Sequence, residues 1–327
     1  MIKTITGKIL FWFNCARCYS LPITVLNWLV IFVYSLTHRG DFLLGLIALV
    51  GISLVHMATN LIDDYFDYKI LSKNDEFMKS AQNCKCLYLK NNQASVNDLR
   101  NAIIIFLSIA AIIGIILFLT SGYYVALLAI IALFIAFIYQ RLSLIGLGDV
   151  GIIIAYGPLM YEGVYYVMTK TFSIEVLILS FACALFTNTI LYVHMLMDFD
   201  GDECSHKKTL CTVFKTKENA LKFLLFFYVA SFILLGYLAY LTKNYFYYSN
   251  LLTLPLIIDL YKNMQNFNKN KTHLPTIRFW HYPLDNWESV KTTKDAPFYF
   301  RFFYSRNIVT FFMILMCIVI FTQSLRH

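Results

Sequence analysis

Charge is scarce in this chain: Asp, Glu, Lys and Arg make up 14% of its 327 residues, against about 25% in an ordinary soluble domain. Hydrophobic residues make up 59%, and the mean hydropathy is +0.63. So few charges over so much apolar surface exclude a water-soluble globular domain and predict an integral membrane protein. A cleavable leader is also not expected, because the first apolar stretch is flanked by Lys8 and Arg17 and lacks a small-residue cleavage site. A nucleotide-binding glycine fingerprint is missing too. Gly146, Gly148, Gly151, Gly157 and Gly163 follow no strand pattern and precede no Lys-Ser or Lys-Thr pair. They suit close helix packing and a kink at Pro158. Eight cysteines are present without a zinc pattern. Cys15 and Cys18 form a C-x-x-C and Cys84 and Cys86 a C-x-C, with no matching pair at zinc spacing. A reducing cytoplasm disfavours disulfides there, and Cys183, Cys211 and Cys317 read as packing residues.

What the chain does have is long apolar runs. Segments of about 20 residues can be drawn at 21–36, 42–61, 102–119, 123–139, 151–168, 174–195, 220–241, 245–261 and 308–323. The prediction is an all-α polytopic membrane protein with nine transmembrane helices in one bundle, a single domain over 1–327. Most of the 29 Phe and 23 Tyr read as lipid-facing filler and interface belts. Of the 27 Lys and Arg, all but Arg39, Lys170, Lys243 and Arg326 fall in the N-terminal segment or in or beside the loops after the second, fourth, sixth and eighth runs. The positive-inside rule therefore puts the N-terminus and the loops 63–100, 196–219 and 262–306 in the cytoplasm, and the C-terminus outside. The expected location is the cell's inner (plasma) membrane. Membrane topology accounts for the net charge of +8, so no nucleic-acid partner is implied, and no obligate protein partner is evident.

Two acidic clusters stand at cytoplasmic ends of apolar runs. In TNLIDDYFDYKI, residues Asn60, Asp63, Asp64 and Asp67 fall at i, i+3, i+4 and i+7, one face of a helix. Three carboxylates crowded at the end of a membrane helix repel one another unless cations sit among them, which points to a hard divalent metal. The plainer alternative is a solvated acidic helix end. A second cluster in MLMDFDGDE weighs against it: Asp198 and Asp202 share a face while Asp200 points roughly the opposite way. Lys207 and Lys208 follow, placed either to grip phosphate oxygens or to anchor the cytoplasmic edge. Arg17, just before the first run, has the same two readings. His56 shares the face of Asn60. The long loop after Asp67 carries Lys69, Lys73, Lys79, Lys85 and Lys90, suited to a diphosphate lid or to anionic headgroups. The segment 262–306, with Trp280 and Trp287, reads as an interfacial element.

These motifs resemble the UbiA superfamily of membrane prenyltransferases, and within it the dihydroxynaphthoate polyprenyltransferases of menaquinone synthesis. NLIDDYFDYK from Asn60 resembles that family's N-L-x-N-D-Y-x-D motif, and DFDGDECSHKKTL from Asp198 its second motif ending in G-K-x-T-L. ARCYSLP at 16–22 is similar to A-R-P-x-T-L-P, and GLGD…GP…G…YYV from Gly146 to the family's fifth helix. Asp63 stands where the family usually has Asn, Met197 where Arg often precedes the motif, and His206 in place of Gly. The resemblance implies Mg²⁺-dependent transfer of a polyprenyl group from its diphosphate to an aromatic acceptor, dihydroxynaphthoate first, with hydroxybenzoate, homogentisate or haem as alternatives. It implies metal ligands among Asn60, Asp63, Asp64, Asp67, Asp198 and Asp202, with Asp64, Asp67, Asp198 and Asp202 carrying catalysis. Substrate contacts are implied at Asn60, Arg17, Tyr139, Arg141 and Lys207. A cation-coupled transporter is the alternative from another class. Against it, the carboxylates lie at helix ends, whereas coupling sites lie near the bilayer midplane.

Overall fold

The computed structural model describes residues 5–72, 86–204 and 208–324, and among these every regular element is helical. The chain divides into two compact units, Met1–Val25 with Asp41–Gln140, and Leu26–Gly40 with Arg141–His327.

The first unit is built from α1 (Ile5–Cys15), the start of α2 (Leu21–Thr37), α3 (Phe42–Leu71), α4 (Val96–Ser121) and α5 (Tyr124–Leu144). α3 and α4 pack along each other. Leu54, Met57, Ala58 and Leu61 repeat at i, i+3, i+4 and i+7 on α3, and they join Leu99, Ala102 and Phe106 of α4 in one buried core. Gly51 lets the helices close further up, since a Cβ there would stand 3.0 Å from the Ile113 side chain. The short turn Leu87–Lys90 adds Tyr88 and Leu89 to the same core. α4 begins with a reciprocal cap, Ser95 accepting from the Asp98 amide and Asp98 accepting from the Ser95 amide.

The second unit contains the rest of α2, α6 (Gly148–Thr169), α7 (Ile174–Cys204), α8 (Lys217–Thr242), α9 (Leu254–Lys269) and α10 (Ala296–Ser324). α7 is its centre. Of its apolar window 78% is buried, against 17% for α4, and it packs against α6, α8 and α10. Small residues permit this: at Gly157 a Cβ would stand 2.9 Å from the Ala184 Cβ of α7. Pro158 removes a helical donor beside it. The helix answers with a π turn over Ala155–Leu159 and a non-helical Gly157, the expected kink. Several buried polar groups pair across helices, as where Asn27 donates to Thr187 at 3.1 Å and Tyr161 to Asn27 at 3.3 Å.

Among the described residues seven helices are long and apolar enough to cross a membrane: the segment Cys18–Thr37 containing α2, then α3, α4, α6, α7, α8 and α10. The expected run 123–139 is helical but shorter in its apolar part, Tyr124–Tyr139. The run 245–261 is divided. Tyr245–Thr253 is a 3₁₀ helix, and Pro255 starts α9, whose polar face carries Asp259 and Lys262. The following segment is tied down by Arg301, whose buried guanidinium donates to the carbonyls of Asn263, Pro297 and His273.

Two acidic helix ends as the candidate active site

The last two turns of α3 bring together most of the first predicted set. Arg17 holds a left-handed conformation, φ 56°, at the break between α1 and α2. From there its guanidinium donates to Asp64, with Asp63 3.6 Å away. The other Asp64 oxygen accepts from the Tyr88 hydroxyl at 3.0 Å, and Cys86 Sγ donates to the Asp64 carbonyl at 3.3 Å. Asp64 is thus buried with both carboxylate oxygens engaged by the protein, while Asp63 and Asp67 are half-buried. Burial opposes the Arg17 charge, but Asp64 and Asp63 outweigh it and raise its pKa, so the guanidinium stays charged. Burial and then Asp64 push Tyr88 up, so it remains a donor. Burial and then Asp64 likewise push Cys15 up to about 12, which keeps it a thiol at neutral pH.

One turn earlier, Asn60 donates to the Ala16 carbonyl at 2.9 Å. Ser20 and Thr24 occupy the two ring nitrogens of His56 at 2.8 and 2.6 Å. The face read from spacing is therefore real, and the chain before α2 is bound to it.

The second acidic end is the last two turns of α7. Asp198 is half-exposed and sits 3.2 Å from His194 Nδ1, one turn back. Asp202, another turn on, is buried. Asp200 belongs elsewhere: it pairs with Lys217 at 2.6 Å and with Lys271, tying α7 to α8 and to the segment after α9. The opposite phasing of Asp200 follows from the 3.6-residue period. Below this end Thr209 caps the turn Leu210–Val213. Gly146, at φ +82°, lies against the Thr209 backbone at 3.4 Å, a conformation that favours glycine. Asp149 of the same GLGD run accepts from Asn188 of α7 at 2.7 Å. Tyr139 is half-buried and Arg141 exposed near the end of α5, and Lys208 is exposed. Lys207 lies outside the described residues.

Tyr88 and His194 were missed by sequence reasoning. His194 had a signal, standing four residues before Asp198. Tyr88 had none, since its contact with Asp64 spans 24 residues without any period.

Among the described residues no three His, Cys, Asp or Glu side chains cluster closely enough to enclose a metal by themselves. The donor chemistry nonetheless fits Mg²⁺, which prefers oxygen and is usually held by one or two carboxylates together with substrate phosphates. Asp63 and Asp67 at one end and Asp198 and Asp202 at the other are such donors. Asp64, committed to Arg17 and Tyr88, fits the role of a positioning carboxylate.

The UbiA prenyltransferase family model matches residues 24–282 of this chain. A 1,4-dihydroxy-2-naphthoate octaprenyltransferase of Haemophilus influenzae is 24% identical over 229 residues, covering 64% of this chain and 70% of that protein. The fold is shared with a UbiA homologue from Aeropyrum pernix, at TM-score 0.62 and 16% identity, covering 92% of this chain and 98% of the other. A UbiA homologue from Archaeoglobus fulgidus, solved with GPP and Mg²⁺ bound, aligns at TM-score 0.57 and 15% identity over 94% of this chain and 99% of that one.

Proposed function

Because the chain belongs to the UbiA prenyltransferase family, we propose that this membrane prenyltransferase moves a polyprenyl group from its diphosphate to dihydroxynaphthoate, in menaquinone synthesis. The observation that carries the reading is the pair of acidic helix ends, Asp63, Asp64 and Asp67 on α3 and Asp198 and Asp202 on α7, the first of them bound to Arg17. The naphthoate relative supports the choice of acceptor.

In this reading Asp63, Asp67, Asp198 and Asp202, with the Asn60 side chain, would hold Mg²⁺. When bound, Mg²⁺ supplies positive charge that stabilises the leaving diphosphate. Asp64 fixes Arg17 and the turn at Tyr88, and it keeps the guanidinium charged beside the metal carboxylates. Lys207, Lys208, Tyr139 and Arg141 contribute substrate contacts. The allylic C–O bond breaks with its electron pair leaving on the diphosphate, and aromatic side chains stabilise the allylic cation and exclude water. The ring carbon bearing the acceptor's carboxylate forms the new C–C bond. Loss of CO₂ then returns its bonding pair to the ring and restores aromaticity. The proposed setting is nine spans in a single domain in the inner membrane, with both acidic ends cytoplasmic.

An acceptor panel tests the reading. Membranes containing the protein, Mg²⁺ and a polyprenyl diphosphate are offered dihydroxynaphthoate, hydroxybenzoate, homogentisate and haem in turn. Prenylation of the naphthoate alone is expected, and transfer only to another acceptor would replace the proposed substrate.

A further inference from the structure

At the other end of α7 from Asp198 lies a cavity. Glu175 and Asp198 are separated by about 35 Å of helix at ~1.5 Å per residue, comparable with the ~30 Å hydrocarbon core of a bilayer. Around Glu175 the second unit forms an open cavity of about 620 Å³, lined among others by Tyr34, His38, Tyr165, Phe172, Glu175 and Gln323.

Its walls are aromatic. Tyr34 and His38 stack at 4.5 Å, each lies 6.0 Å from the Tyr165 ring, and Phe172 stacks on Tyr166 at 4.8 Å. Its lining holds one carboxylate, Glu175. Glu175 is held by Ser173 through a hydroxyl hydrogen bond. Glu162, three residues before Tyr165 and behind the lining, is buried with its Oε2 lacking a hydrogen-bond partner. Neither glutamate forms an ion pair among the described residues, and both lie within electrostatic reach of Tyr34. Aromatic faces beside carboxylates without a Lys or Arg partner attract an organic ammonium group.

The neighbourhood also offers positive charge. Beside lining residues in sequence stand Arg39, after His38; Lys170, two before Phe172, with its ammonium donating to the Val167 carbonyl at 3.0 Å; and Lys243, after Thr242, over the Tyr240 ring at 4.3 Å. With Arg326, these are the four basic residues expected on the sparsely charged side. Ammonium-binding walls with basic residues next in sequence match a zwitterion carrying an ammonium and a phosphate.

We propose that this cavity seats the headgroup of a zwitterionic phospholipid, its ammonium between Tyr34, Tyr165 and Glu175 and its phosphate towards the basic residues. The purified full chain is delipidated and mixed with equal amounts of phosphatidylethanolamine and phosphatidylglycerol, and retained lipid is read by native mass spectrometry. A preference of about fivefold for phosphatidylethanolamine is expected from one cation–π-assisted ammonium contact. Glu175→Gln should abolish that preference while leaving the melting temperature in detergent unchanged. Phe172→Ala, at a half-exposed position, gives an independent reading and should weaken it. Equal retention of the two lipids, an unaltered preference in both variants, or binding of soluble phosphoethanolamine with no preference among lipids would each overturn the proposal.

Discussion

If Asp64 acts by fixing Arg17, the two residues must be energetically coupled, and the structure sets the size of that coupling. Asp64 is 3% exposed and Arg17 25% exposed, so the pair is only partly screened by solvent. A charge-assisted hydrogen bond in such a setting contributes about 1.5–3 kcal/mol. Removing one partner costs more, because it leaves a charge in a poorly solvated place. Asp64→Asn strands the guanidinium with Asp63 at 3.6 Å. Arg17→Gln removes the carboxylate's cationic partner and keeps its hydrogen bond from Tyr88. The double variant removes both charges, so its destabilisation should fall below the sum of the single ones by about 1.5–3 kcal/mol. Fluorescence-monitored unfolding in mixed detergent micelles reads the cycle. Additivity within about 0.5 kcal/mol would refute the positioning role and return Asp64 to the set of direct metal ligands.

The second acidic end gives a contrast: Asp198→Ala should abolish prenyl transfer with the protein still in the membrane. Asp200→Ala should lose only the half-exposed pairs to Lys217 and Lys271, about 0–1 kcal/mol of stability; equal loss of turnover in the two would show the phasing of α7 to be wrong. At Gly157 the missing Cβ has no room beside Ala184, so Gly157→Ala should destabilise by about 1–3 kcal/mol, and an unchanged melting profile would contradict the close packing of α6 on α7. Tags inserted at residues 80 and 215 should both report the cytoplasm and a tag after His327 the opposite side; a cytoplasmic C-terminus would defeat the nine-span topology.

Much of this arrangement was legible in the sequence because helical period is a local property. The face formed by Asn60, Asp63, Asp64 and Asp67, the opposite phasing of Asp200, and the kink at Pro158 all follow from spacing or from one residue's covalent geometry. The split of 245–261 also had a signal in Pro255, but hydropathy alone read the stretch as one apolar run. What spacing did not carry was partnership. Arg17 reaches Asp64 across 47 residues and Tyr88 across 24, and nothing periodic announces either. The burial of Asp64 between those two side chains therefore appears only in three dimensions.

Prenyl transfer to a carboxylated naphthalene ring is tested most directly by the fate of that carboxylate. Membranes containing the protein are incubated with carboxyl-labelled dihydroxynaphthoate, a polyprenyl diphosphate and Mg²⁺, and both the gas phase and the extracted lipids are counted. Label should leave as CO₂ in step with the appearance of an unlabelled prenylated quinol, and both should vanish in Asp198→Ala membranes. Prenylated hydroxybenzoate with no label released from the naphthoate would contradict the assigned acceptor, and no prenylated product from any aromatic acceptor would contradict the claim itself.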